Sequence, residues 1–295
     1  MRFIFFCLLS LLFTCPGIAQ VDPSWTTPIA PFQIADNLYY VGSQDLASYL
    51  VITQKGNILI NANLTTSPPQ IKASVEKLGF HWKDIKILLN SQAHDDHMGG
   101  AAQIIRETHA ESMVMDGDVS VVESGAKTDF LAPSPNIPGY PSSHVDRVLH
   151  DRDKVSLGGI TLIAHKTAGH TRGCTTWTMR AHLPGEPAGT MRNIVIVGGT
   201  GFWSEFHFVA TRGHPVSYPG IVQDFQHTFA ELHSLTCDVF LGAHGQYFDM
   251  LEKLKRYPKE GSHVFIDPDG YKQFVIKSQG KFEKELSRQR AAATH

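Results

Sequence analysis

The chain has little that would staple it or anchor it. Cysteine is scarce: four among 295 residues, with Cys7 and Cys15 inside the first 19. A disulfide framework is thereby excluded as the source of stability. Cys174 and Cys237 can form at most one bridge, and their spacing does not decide whether they meet. Charge is modest too, at 18% Asp, Glu, Lys and Arg with a formal net charge of -2. No long Lys/Arg run is present, so the footprint of a nucleic-acid backbone or an anionic membrane surface is absent. Beyond the N-terminus no apolar run approaches the roughly 20 residues of a bilayer span. A Gly-x-Ser-x-Gly elbow is missing, and no Asp or Glu occurs from Ile194 to Ser204. What remains is a chain of ordinary globular composition, with a small molecule as the default partner, no nucleic acid and no stable membrane insertion.

The N-terminus has the features of an export signal. Arg2 precedes an apolar run over residues 3–13, a Pro16-Gly17 turn and the small residues Gly17 and Ala19. This pattern predicts a signal peptide over 1–19 cleaved before Gln20, and a mature protein over 20–295 that is periplasmic or secreted. Further along, "NLYYVGS" and "SYLVITQKGNILIN" are β-branched and aromatic runs, the second turning at Lys55-Gly56. "SPPQIKASVEKLGF" predicts a helix with Ser67 as N-cap and Gly79 as its stop. "DIKILLNS" predicts a short apolar strand, followed by a second helix over about 100–109. The second half repeats the order more loosely. "ITLIAH", "TTWTMRAH", "NIVIVGG" and "CDVFLGAHG" are strands, "PGIVQDFQHTFAELHSL" is a helix, and residues 270–295 form a charged terminal helix. Two strand-rich blocks flanked by helices predict an α/β fold of two sheets packed face to face with helices outside, as one domain. The Pro, Ser and Gly-rich segment 126–143 is a surface excursion that can border a site.

Chemistry concentrates in "SQAHDDHMGG". Gln92, His94, Asp96 and His97 sit at the end of the predicted strand, and two later strand-end histidines, His170 in "AGHTRG" and His244 in "GAHGQ", complete the set. Imidazole and carboxylate are zinc ligands, and a catalytic zinc keeps one position open beyond three protein ligands. The six groups divide into two sets of three: Gln92 and His94 toward one ion, Asp96 and His97 toward another, with His170 and His244 supplying one apiece. Gly99 and Gly100 let the chain turn tightly into the next helix. Most of the 16 histidines are ordinary surface or hydrogen-bonded residues, among them His109, His150, His214, His227 and His233.

The H-x-H-x-D-H pattern, with "AGHT" and a late strand-end His, resembles the metallo-β-lactamase superfamily. Its αββα sandwich, two mixed sheets with helices on the outer faces, is the architecture just predicted. "NLYYVGSQDLASYLV", "GNILIN", the Asp96-His97 pair without a Cys ligand, "GHTRG" and "AHG" are most similar to subclass B3, across nearly the whole mature chain. The resemblance implies one or two Zn²⁺ per chain, the first held by Gln92, His94 and His170 and the second by Asp96, His97 and His244. Gln92 departs from the usual His and resembles a minority of the subclass. A neutral amide oxygen is a weaker donor to zinc than imidazole nitrogen, so the first site is expected to be the weaker.

The implied activity is hydrolysis of the β-lactam amide of penicillins, cephalosporins and carbapenems by a metal-bound hydroxide, in a monomer. Asp96 orients the nucleophile, and Thr200 or Arg172 takes the substrate carboxylate. Lactonases and thioesterases of the superfamily use an additional bridging Asp at a strand-end "GD". The matching stretch here is "IVIVGGTGFW", which has none. Those activities are the alternative reading, and a metal-binding protein without catalysis is a third.

Overall fold

The computed structural model describes residues 22–293; the expected leader over 1–19 lies outside them. The first sheet has seven strands in chain order, β1 (Phe32–Ala35), β2 (Leu38–Tyr40), β3 (Tyr49–Thr53), β4 (Gly56–Ile60), β5 (Ile85–Leu89), β6 (Glu111–Met115) and β7 (Arg147–Leu149). The second has five, β8 (Lys154–Leu157), β9 (Ile160–Lys166), β10 (Thr175–Ala181), β11 (Arg192–Val197) and β12 (Val239–Gly242), in the order β12-β11-β10-β9-β8. Both are mixed: β4 to β7 run parallel and so do β11 and β12, whereas the remaining neighbours are antiparallel. This is the predicted αββα sandwich.

Helices α1 (Pro68–Lys77), α2 (Asp95–Met98), α3 (Ala101–Thr108) and α4 (Val119–Ser124) belong to the first half. Helices α5 (Ile221–Ser234), α6 (Met250–Glu260) and α7 (Pro268–Ala293) belong to the second. Apolar residues sort accordingly. Ile34, Tyr49, Ile60 and Leu89 meet Trp177, Ile196 and Leu241 between the sheets, while Leu50, Leu59 and Leu88 face Ile71, Val75 and Ile104 beneath α1 and α3. Each such fully buried side chain stabilises the fold by roughly 1.5–3 kcal/mol relative to exposure. On the far side, Phe225 stacks on Phe282 and Phe229 packs on it at a tilt, with centroids 4.9 and 5.9 Å apart, tying α5 to α7.

Three details differ from expectation. Ser67 precedes α1 in a helical conformation, without a side-chain cap bond; Pro68 supplies the start instead, because its missing N–H needs no partner. Residues 95–98 are a turn of helix rather than open loop. Gly99 and Gly100 hold ordinary helical φ values of -53° and -81°. Glycine is required there by close approach, since an added Cβ would lie 2.5 Å from the Asp95 and Ala62 carbonyl oxygens respectively. Cys174 and Cys237 are free and buried.

The sheets are pinned together where the site forms. Trp177 Nε1 on β10 donates to the Asn90 carbonyl after β5 at 3.0 Å, and the Tyr49 hydroxyl on β3 donates to Gly242 O on β12 at 2.7 Å. Asn61, at φ 68°, accepts from Ser91 N–H at 2.8 Å and donates to Ala47 O at 3.1 Å. Asparagine tolerates this left-handed conformation better than most residues. The loop after β5 is thus fixed by buried polar contacts before any chemistry is considered.

Candidate metal centre

Loops leaving β5, β9 and β12 converge on one edge of the sandwich. Asp96 Oδ2 lies 3.2 Å from His97 Nε2 and 3.3 Å from His244 Nε2, and the two ring nitrogens are 3.2 Å apart. Ligand atoms held at about 2.0–2.1 Å around a tetrahedral zinc stand roughly 3.3 Å from one another. The buried triangle of Asp96, His97 and His244 therefore has the size and donor chemistry of a metal site. Beside it, His94 Nδ1 and His170 Nε2 face each other at 3.2 Å, a second pair of nitrogen donors with the same spacing.

The other ring nitrogens explain why these ones point inward. His244 Nδ1–H donates to Asp45 Oδ2 at 2.8 Å, and His170 Nδ1–H donates to Gly201 O at 2.8 Å, so in each ring Nε2 is the nitrogen turned toward the centre. His94 Nε2 lies 3.4 Å from Asp129 Oδ2, and both atoms are buried without a formed hydrogen bond. Asp45 is itself held by the Gln246 backbone N–H at 2.9 Å and its amide at 3.2 Å. Asp118, buried beneath the His170 turn, accepts from the Thr171 hydroxyl at 2.8 Å and Gly173 N–H at 2.7 Å.

Burial, and then the neighbouring His94, push the His170 imidazole down to about 3. Burial likewise lowers His97 against the opposing pull of Asp96. Burial alone would raise Asp96, but His97 and His244 outweigh it and hold the carboxyl well below its usual range. At His244 and His94 burial is outweighed: Asp45 and Asp96 raise His244 to about 9 and Asp129 raises His94. The surroundings thus hold only His97 and His170 neutral, and ligation at the other two releases a proton.

Gln92 is buried in the same loop, and its Oε1 accepts from the His94 backbone N–H at 3.2 Å. Thr200, also buried, follows β11 and donates to Ser278 Oγ on α7 at 3.3 Å. The guanidinium of Arg172 lies over the Tyr218 ring, 5.5 Å from its centroid. His109, His150, His214 and His227 are exposed, and His233 bonds Gln279 at 2.7 Å. Asp45, Asp129 and Asp118 went unrecognised in the sequence. "SQD" and "KTDF" hold ordinary acidic residues, and only the fold shows that each faces a histidine or its turn. Trp203 follows β11 on the same loop as Thr200. Its ring stands 5.8 and 5.7 Å from the rings of His94 and His170, and its Nε1–H donates to Glu205 Oε2 at 2.8 Å. Asn136, from the 126–143 excursion, donates to the same oxygen at 2.5 Å, so two loops clasp the tryptophan over the site.

Fold and site together define a metal-binding αββα protein whose candidate ligands ride on strand-end loops. The metallo-β-lactamase superfamily model matches residues 46–182. Native FEZ-1 metallo-β-lactamase from Legionella gormanii is 45% identical, with a TM-score of 0.83, over 90% of this chain and 98% of that one. BJP-1, a subclass B3 metallo-β-lactamase of Bradyrhizobium japonicum, is 34% identical with a TM-score of 0.82, over 92% and 98%. A probable metallo-hydrolase of Burkholderia pseudomallei is 28% identical over 115 residues, and the match spans 37% of that protein's length. The chain belongs to the metallo-β-lactamase superfamily.

Proposed function

We propose that this protein is a zinc β-lactamase that opens the amide ring of penicillins, cephalosporins and carbapenems. The observation that carries the reading is the triangle of Asp96, His97 and His244 at 3.2–3.3 Å beside the His94–His170 pair at 3.2 Å. Its support is the 45% identity to FEZ-1 over nearly the whole of that enzyme. Zinc would be held by Gln92, His94 and His170 in one set and by Asp96, His97 and His244 in the other. When bound, zinc lowers the pKa of water toward about 7 and polarises a carbonyl oxygen.

The chain's own groups supply the rest. Asp96, kept ionised by its two histidines, accepts a hydrogen bond from the attacking water and aims it. Asp45 and the Gly201 carbonyl hold two imidazoles in place by hydrogen bonds and Asp129 faces a third at 3.4 Å, so orientation is largely set before substrate arrives. Trp203 shields the His94–His170 side from bulk water. Thr200 is the hydroxyl we assign to the substrate carboxylate, its proton turning from Ser278 Oγ to reach it; Arg172 is the alternative cation, reached only by leaving Tyr218.

A lactonase or thioesterase of the same fold is the second reading. It is disfavoured because Gly199, where a bridging acid would be expected, leaves no room for a side chain: an added Cβ would sit 2.5 Å from His170 Cδ2. Zinc-loaded protein is assayed against a carbapenem, an acyl-homoserine lactone and a glutathione thioester, with and without chelator. Chelator-sensitive loss of β-lactam absorbance, abolished in His170→Ala and Asp96→Ala, is expected. Turnover of the lactone or thioester alone would replace the reading, and zinc uptake with no turnover would leave a binding protein. We further read residues 1–19 as a leader, so that mature protein recovered from the periplasm or medium begins at Gln20 as one catalytic domain. We also read it as a monomer, in which both sets of assigned ligands are complete.

A further inference from the structure

A groove of about 720 Å³ runs along α7 and reaches the Thr200–Gly201 loop that packs behind His170. Its near wall is Thr200 and Gly201, the residue whose carbonyl holds His170. Its floor continues from the other ligand set: the Tyr247 ring lies 5.2 Å from His244 and 5.0 Å from Phe274 on α7. The Thr200–Ser278 bond of 3.3 Å fastens α7 to the site loop. The groove thus abuts residues that pack against two of the assigned ligands, His170 and His244.

Its far wall is charged. Lys277, Lys281 and Lys284 line it at i, i+4 and i+7, one face of a helix. None of the three has an ion-pair or hydrogen-bond partner among the described residues. Two acids share the lining, Asp249 and Glu285. Glu285 is bound to Arg288 at 2.8 and 2.6 Å. With that pair cancelled, three lysines face one aspartate, a balance of +2 in a groove with aromatic walls.

Resting on the β-lactamase reading, we propose that this groove is a subsite for an anionic substituent of the substrate, distinct from the carboxylate assigned to Thr200. Aromatic floor and lysine wall together fit an aryl side chain that itself bears a carboxylate. The subsite makes the enzyme prefer dianionic over monoanionic β-lactams of the same size.

The matched pair is α-carboxybenzylpenicillin and benzylpenicillin, compared on zinc-loaded wild type and on the Lys277→Gln, Lys281→Gln, Lys284→Gln triple variant. These lysines are exposed, so the fold is retained. In the variant KM for the dianion rises about five- to thirty-fold, the sum of several exposed ion pairs, with kcat within twofold and benzylpenicillin unaffected. Raising salt removes the wild-type preference and changes the variant little. Equal changes for both penicillins, or none, overturn the subsite. If neither penicillin is hydrolysed the reaction assignment falls, and calorimetric Kd values for the same pair on the same two proteins then decide the groove: a lysine-dependent preference keeps it, and none removes it.

Discussion

His94 Nε2 and Asp129 Oδ2 stand 3.4 Å apart, both buried, with Asp129 brought in from the excursion between α4 and β7. Burial alone would lower His94, yet Asp129 and then Asp96 raise it above its ordinary value. A carboxylate behind a ligating imidazole makes it a better donor and fixes its ring. Asp129→Asn is therefore expected to weaken zinc at the His94 set about 10–100-fold while leaving the His244 set unchanged. Zinc retained per chain after graded dialysis reads this. A folded variant that keeps the wild-type profile would show that the contact does not tune the metal.

Gln92→His replaces an amide by an imidazole at the start of the same loop. It gives up the 3.2 Å bond from His94 N–H, a loss of about 0.5–1.5 kcal/mol, and gains a nitrogen donor that zinc prefers. The expected result is an active enzyme in which calorimetric titration of chelated protein shows two sites of similar affinity, against one weak and one tight in the wild type. An inactive but folded variant would point to a task for the amide that donor strength does not describe.

The two sheets, and the loops that bring Asp96, His97 and His244 together and His94 to His170, were legible because each rests on a local signal: alternation or an apolar run for the strands, and donor-rich loops at strand ends. What stayed hidden is whatever depends on approach through space. Asp45 meets His244 across 199 positions of chain and Asp118 meets Thr171 across 53, and nothing in "SQD" or "DGD" separates them from solvent-exposed acids. The same holds for Gly199, whose neighbours in sequence read as a tight turn, while its actual constraint is the ring of His170. Ser67 failed as a cap for the opposite reason, since a strong local preference gave way to the adjacent proline.

Gly199→Ala puts that constraint to work. The new methyl would meet His170 Cδ2 and Cγ at 2.5 and 2.7 Å, so the ring is expected to be displaced. Displacing a catalytic group by about an ångström costs on the order of a hundredfold in rate. Activity is expected to fall by about that factor, with less zinc bound, while circular dichroism stays native. Full activity would mean that the loop relaxes and His170 does not.

A last prediction concerns stability away from the metal. His165 is buried on β9, its Nδ1–H donating to Glu231 Oε1 at 2.7 Å and its Nε2 accepting from the Thr178 hydroxyl at 2.8 Å, an arrangement that suits the neutral ring. Burial holds its pKa below the ordinary 6.5, with Glu231 opposing. Above pH 6.5 the ring is neutral in both folded and unfolded chains and contributes no pH dependence. As pH falls through 6.5 the unfolded chain takes up the proton first, so stability is lost between 6.5 and the lower folded value. The slope is at most about 1.4 kcal/mol per pH unit. His165→Gln keeps a donor and an acceptor without titrating. In chelated protein, where zinc release cannot contribute, urea unfolding of the two should show the wild type's advantage shrinking below pH 6.5 and constant above it. An advantage that grows on acidification would mean the histidine is charged in the fold, stabilised by Glu231 more than it is destabilised by burial.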